Sequence, residues 1–162
     1  MNIRSTLLVP LAFLALTTAI PAQASMHNGC VAPSEHDIAA LFERWNNTLK
    51  TGDAKAVAAN YATDAVLLPT LSNTPRRDDA ARIDYFETFL LKKPSGTIDS
   101  RTIKVGCNEA LDTGTYTFMF DDKSAVQARY TFTYAFINDK WLITSHHSSA
   151  MPERVMSSAM QR

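Results

Sequence analysis

The hydrophobic period of this 162-residue chain changes at about residue 97, and that change limits the folds open to it. Beyond it, apolar side chains recur at every second position. Tyr116, Phe118 and Phe120 alternate with Thr115, Thr117 and Met119, and Tyr130, Phe132, Tyr134 and Phe136 alternate with Arg129, Thr131, Thr133 and Ala135. Side chains two residues apart share one face of a strand, so each run reads as a strand with an aromatic face turned to a core. Strands are predicted over 97–105, 110–120, 125–137 and 140–149, with turns at 112–114, 121–123 and 138–139.

Before residue 97 the spacing is helical. Ser34 is placed as an N-cap with Asp37 three residues on, and Ile38, Leu41, Phe42, Trp45 and Leu49 then form one apolar stripe that stops at Gly52. Asp53 opens a short second helix that Asp64 is expected to close, followed by a strand over 65–68 and a loop over 69–77. A third helix begins at about Asp78, with Ala81, Tyr85, Phe86, Phe89 and Leu90 inward. Helices followed by an antiparallel meander define an α+β class. The length fits one domain, assigned to residues 34–152, and 46% hydrophobic content supports a core.

Residues 1–24 read as a secretory signal peptide: Arg4, an apolar run over 7–20, then Ala22-Gln23-Ala24 as a cleavage site. The run is shorter than the roughly 20 residues a membrane span needs. The expected location is periplasmic or secreted, with no membrane attachment after cleavage. Residues 25–33 then form an N-terminal arm and 153–162 a C-terminal tail. In an oxidising compartment Cys30 and Cys107 are most simply a disulfide, the alternative being two buried thiols. Closing so long a loop stabilises by about 4 kcal/mol in the chain-entropy view. Lysine plus arginine balance aspartate plus glutamate at 16 each, without a basic run, so nucleic acid is not an expected partner.

The order of elements resembles the nuclear-transport-factor-like (SnoaL-like) cone fold, helices packed on a curved antiparallel sheet. The segments 61–70, 85–90, 128–134 and 141–152 are similar to bacterial relatives of the calcium/calmodulin-dependent protein kinase II association domain, the SgcJ/EcaC-type group. Trp141, Ile143, His147, Ser149 and Pro152 match the Trp-x-Ile-x-x-x-His-x-Ser-x-x-Pro ending of that domain. The resemblance implies a homodimer and a cavity inside the cone. It does not carry over ring assembly, because the arginine that follows the matched histidine in the kinase domain is Ser148 here.

Strict alternation along the last strand puts Ile143, Ser145, His147 and Ser149 on one face and Thr144, His146 and Ser148 on the other. The first set is expected in the cavity, and His146 and Ser148 on the opposite, partner-facing side. With Arg129 on the neighbouring strand, His147 and Ser149 would hold a small anionic, partly apolar ligand such as a carboxylate, with Tyr61, Tyr85, Trp45 and Arg76 at the walls or mouth. Two other readings stay open. One is an acid-base isomerase or cyclase using His147 with Asp64; the other is a structural or protein-binding module. Neighbouring residues on a strand point apart, so His146 and His147 do not form a metal pair; neither metal nor cofactor is expected.

Overall fold

A computed structural model describes residues 29–30 and 32–152. The segments expected to be a signal peptide and a C-terminal tail, with most of the expected N-terminal arm, fall outside the described residues. Helix α1 spans Glu35–Lys50 and starts in a capping box: Ser34 donates through its backbone N–H and hydroxyl to Asp37 Oδ2, and Asp37 N–H donates back to Ser34 Oγ. Such a cap stabilises by about 1 kcal/mol. The chain leaves α1 through Gly52, whose φ of +73° is one that side chains with a Cβ rarely adopt. Helix α2 covers Ala54–Ala58 and α3 Asp79–Leu90, each N-capped by an aspartate, Asp53 and Asp78.

The strands are β1 (Tyr61–Leu68), β2 (Ser95–Val105), β3 (Glu109–Met119), β4 (Ala125–Ile137) and β5 (Lys140–Ala150). They form one curved, unclosed sheet in the order β1-β5-β4-β3-β2. The four later strands pair antiparallel as expected, and β1 adds to β5 in parallel, making the sheet mixed. The helices fill its concave side, where Phe42, Trp45, Phe86, Phe132, Tyr116 and Tyr130 are almost fully buried. Asn46 ties α1 to the sheet by giving and taking hydrogen bonds with the Gly96 backbone at 2.8 and 2.9 Å. Among the described residues no helix is long and apolar enough to cross a membrane.

Three irregularities shape the sheet, and each corrects an expectation. Residues 112–114 are not a turn; they lie in the middle of β3, paired with Ile103, Thr102 and Arg101 just beyond the Asp99 bulge of β2. The glycine there answers to crowding: a Cβ on Gly114 would stand 1.9 Å from the Ser100 carbonyl oxygen. Asp64 does not close a helix. It sits exposed within β1, in a stretch where five steps along β1, from Tyr61 to Val66, match two along β5. Carbonyls left without ladder partners in that bulge are collected by Arg82, which donates to Ala62, Thr63 and Ala65 and is paired to Asp79. The third irregularity is one extra residue in β5, Thr144, between the pairs Tyr134↔Ile143 and Thr133↔Ser145.

Cys30 is bonded to Cys107 with 5.1 Å between their Cα atoms, fastening the stretch ahead of α1 to the β2–β3 connection. Asn108 adds a 2.8 Å backbone acceptor for Phe136 and a 2.7 Å side-chain bond to Gly29.

Candidate functional site

The Thr144 bulge decides what the cup contains. An added residue inverts the alternation beyond it, so Ile143 faces inward, and the next inward residues are His146 and Ser148. His146 is 4% exposed, whereas His147 is exposed on the other side of the sheet. The expected assignment is thereby reversed: His147 and Ser149 stand outside, and His146 and Ser148 reach the interior.

Inside the cone an apolar cavity of about 40 Å³ is walled by Trp45, Leu67, Phe86, Phe89, Phe118 and Phe120, with Tyr85, Pro69 and Leu71 toward the mouth. Its polar end is a continuous set of neutral groups. His146 lies against Phe132, ring centroids 4.0 Å apart, and its Nδ1 is 2.9 Å from Tyr61 OH, to which Trp45 Nε1 donates at 3.1 Å. On the opposite edge His146 Nε2 is 3.4 Å from Tyr116 OH, and Tyr116 donates to Ser148 Oγ at 2.6 Å. Ser148 Oγ is also hydrogen-bonded to Thr70 Oγ1 from the loop after β1.

Electrostatics keep this set uncharged. Burial, with a smaller contribution from His147, lowers the His146 pKa to about 3, so the imidazole is neutral at physiological pH. Burial likewise raises the phenols of Tyr61 and Tyr116, with the bonds from Trp45 and to Ser148 opposing it, and pushes Tyr85 up to about 12 against the pull of Arg76. These phenols therefore keep their protons and serve as donors. Among the described residues no lysine, arginine, aspartate or glutamate lines the cavity. Two cations stand just behind its aromatic wall: Arg76 over the Tyr85 ring at 5.8 Å and Lys92 over Phe120 at 5.6 Å. Arg76 is also paired with Asp84 at 3.1 Å.

Of the residues expected at the cavity, Trp45 and Tyr85 line it, Tyr61 backs His146, and Arg76 flanks the mouth. Arg129, His147 and Ser149 do come together, with Thr131, but in a shallow open groove on the outer face. There Arg129 is paired across strands with Ser149 and makes a 3.4 Å contact to the Ala150 carbonyl. Exposed Asp64 belongs to β1 and does not line the cup. Sequence reasoning gave Thr70 and Tyr116 no role in the site and turned His146 and Ser148 to the opposite face. The available signal was Tyr116: one tyrosine among inward phenylalanines needs a partner for its hydroxyl.

A second buried polar node lies deeper in the cone. Tyr130 donates to Asp112 Oδ1 at 2.8 Å, and Arg101 Nε is 3.2 Å from the same carboxylate. Burial raises the Asp112 pKa, opposed by the bond from Tyr130 and the charge of Arg101. Among the described residues no three histidine, cysteine, aspartate or glutamate side chains cluster closely enough to hold a metal ion.

Helices filling an unclosed, strongly bent sheet define a nuclear-transport-factor-like, cystatin-like cone fold. An NTF2-like protein of Pseudomonas putida is 20% identical, covering 72% of this chain and 86% of that one at a TM-score of 0.64. The iota-carbonic anhydrase of a cyanobacterium, complexed with bicarbonate, is 19% identical over 74% and 93% at 0.67; both likenesses concern the fold. The chain itself belongs to the calcium/calmodulin dependent protein kinase II association domain family, which it matches over residues 34–152. A structure assigned to that family from Xanthomonas campestris is 45% identical, covers 84% of this chain and 94% of that one, and gives a TM-score of 0.72. Comparison with curated protein sequences finds no match.

Proposed function

We propose that the cup is a site for carbon dioxide and bicarbonate and that the protein interconverts them. The observation that carries this reading is a cavity of about 40 Å³ whose polar end consists of Tyr116, His146, Ser148 and Thr70. So small a space suits a ligand of only a few heavy atoms. Drug-sized ligands occupy about 300 Å³ or more, which disfavours the isomerase and cyclase reading with its larger substrates. The fold family includes enzymes, and the cyanobacterial carbonic anhydrase of the same fold is complexed with bicarbonate.

The chemistry follows from neutral donors in apolar walls. Carbon dioxide is itself apolar and pays little to enter such a chamber. A hydroxyl of the Ser148–Thr70 pair donates to one of its oxygens, water oxygen bonds to the carbon, and one C=O electron pair moves onto the hydrogen-bonded oxygen. The water proton departs to buffer through the mouth, leaving bicarbonate. With no cation among the described residues lining the cavity, the anion is weakly held and leaves, while Arg76 and Lys92 favour anion approach at the rim in the reverse direction. The same reading takes the chain as an exported homodimer, which sedimentation of the mature protein would check.

Carbon dioxide hydration followed by stopped-flow pH change tests the reading. Wild-type protein should exceed the buffer rate, and Ser148→Ala should lose on the order of 10²-fold, the usual cost of one donor to a developing oxyanion. Arg129→Ala should leave the rate unchanged. A wild-type rate equal to buffer, with the protein folded, rejects the activity.

A further inference from the structure

We propose that Trp45 and Tyr61 are positioning residues that fix the tautomer of His146 and thereby make the Ser148–Thr70 end of the cup a hydrogen-bond donor. The proposal rests on the reading of this cup as a bicarbonate site and deepens it by naming what the site recognises: an oxygen lone pair.

The argument is proton counting along one chain of contacts. An indole N–H can only donate, so at 3.1 Å Trp45 Nε1 donates to Tyr61 oxygen. Tyr61 is 4% exposed, and the other polar neighbour of its hydroxyl among the described residues is His146 Nδ1 at 2.9 Å. Its own proton therefore goes to Nδ1, which must be the unprotonated nitrogen. A neutral imidazole then carries its proton on Nε2, facing Tyr116 oxygen at 3.4 Å. Tyr116 is left to donate to Ser148 Oγ at 2.6 Å. Ser148 and Thr70 share one more bond, which uses one of their two hydroxyl protons. The other proton has no partner among the described residues and points the pair toward the cavity occupant.

Reversing the tautomer reverses the far end. With the proton on Nδ1, Tyr61 oxygen would receive two donors and its buried O–H none to accept it. Tyr116 would turn toward Nε2, Ser148 toward Tyr116 and Thr70 toward Ser148, leaving only lone pairs for the occupant. A chain set by Trp45 thus selects an acceptor such as a bicarbonate oxygen over a group that can only donate, such as an ammonium.

Long-range ¹H–¹⁵N NMR of the imidazole in uniformly labelled, full-chain wild-type protein reads the tautomer directly, without ligand. Nδ1 in the unprotonated range and Nε2 in the protonated range support the proposal; a protonated Nδ1 overturns it whatever the activity. Tyr61→Phe removes the donor to Nδ1 and should move both nitrogens toward averaged values. An unchanged tautomer in folded Tyr61→Phe overturns the control assigned to Tyr61. Should that variant not fold, Trp45→Phe asks the same question of the first link. A bicarbonate titration of wild-type protein separates the two readings: the Nε2–H tautomer with no bicarbonate response supports the chain and rejects the bicarbonate site, whereas a shift of the His146 nitrogens supports both.

Discussion

The two faces of β5 carry nearly the same residues and do different work. His146 and Ser148 face inward, stacked on Phe132 and bonded to Tyr61, Tyr116 and Thr70, whereas His147 and Ser149 lie beside Arg129 and Thr131 in an open groove. Identical side chains thus meet either an apolar-walled cavity or open solvent. The difference teaches that residue type marked the strand as polar but that backbone geometry chose which pair became the site.

The strongest way to break the comparison is to remove the cation that holds β1 beside the inner face. Arg82→Ala strips donors from three carbonyls, leaving those of Ala62 and Ala65 buried, and should destabilise by about 3–5 kcal/mol. Arg129→Ala on the outer face should change stability by less than about 0.5 kcal/mol; urea denaturation measures both. Next comes the histidine pair. His146→Ala empties a buried, bonded ring position and should cost about 2–4 kcal/mol, against less than about 0.5 for His147→Ala.

Acid sharpens the same contrast. His146 has a folded pKa of about 3, below the unfolded value of 6.5, so unfolding takes up a proton between those limits. Stability from this group is fully present above about pH 6.5 and falls as pH drops toward 3, by about one power of ten in the unfolding constant per unit. His146→Gln should flatten that part of the profile, and His147→Gln should leave it. The smallest effect concerns the hydroxyls. Ser149→Ala should be silent in both melting and carbon dioxide hydration, while Ser148→Ala, modest in melting, should be plain in rate.

Much of the architecture was readable because local signals agreed. The Ser34–Asp37 cap, the α1 stripe from Ile38 to Leu49 and the aromatic alternation of β3 and β4 each follow from spacing alone. The site was less readable, since its parity depends on Thr144, and a bulge leaves no periodic trace in eleven residues that alternate plausibly either way. Arg82 was hidden for a related reason: its partners are carbonyls of another bulge, which carry no residue identity. Gly114 looked like turn chemistry, although what it relieves is contact with Ser100 on the next strand.

The doubled letters of the His146-His147-Ser148-Ser149 segment acquire a meaning from the Thr144 bulge. Slide the strand by one position, as pairing Thr144 in the ladder instead of bulging it out would do, and the cup still receives a histidine followed two places later by a serine. The segment is a register-degenerate code, written so that either reading frame of the strand delivers the same pair of groups. A chain built this way can gain or lose a bulge during its history without passing through a form that lacks the imidazole and the hydroxyl.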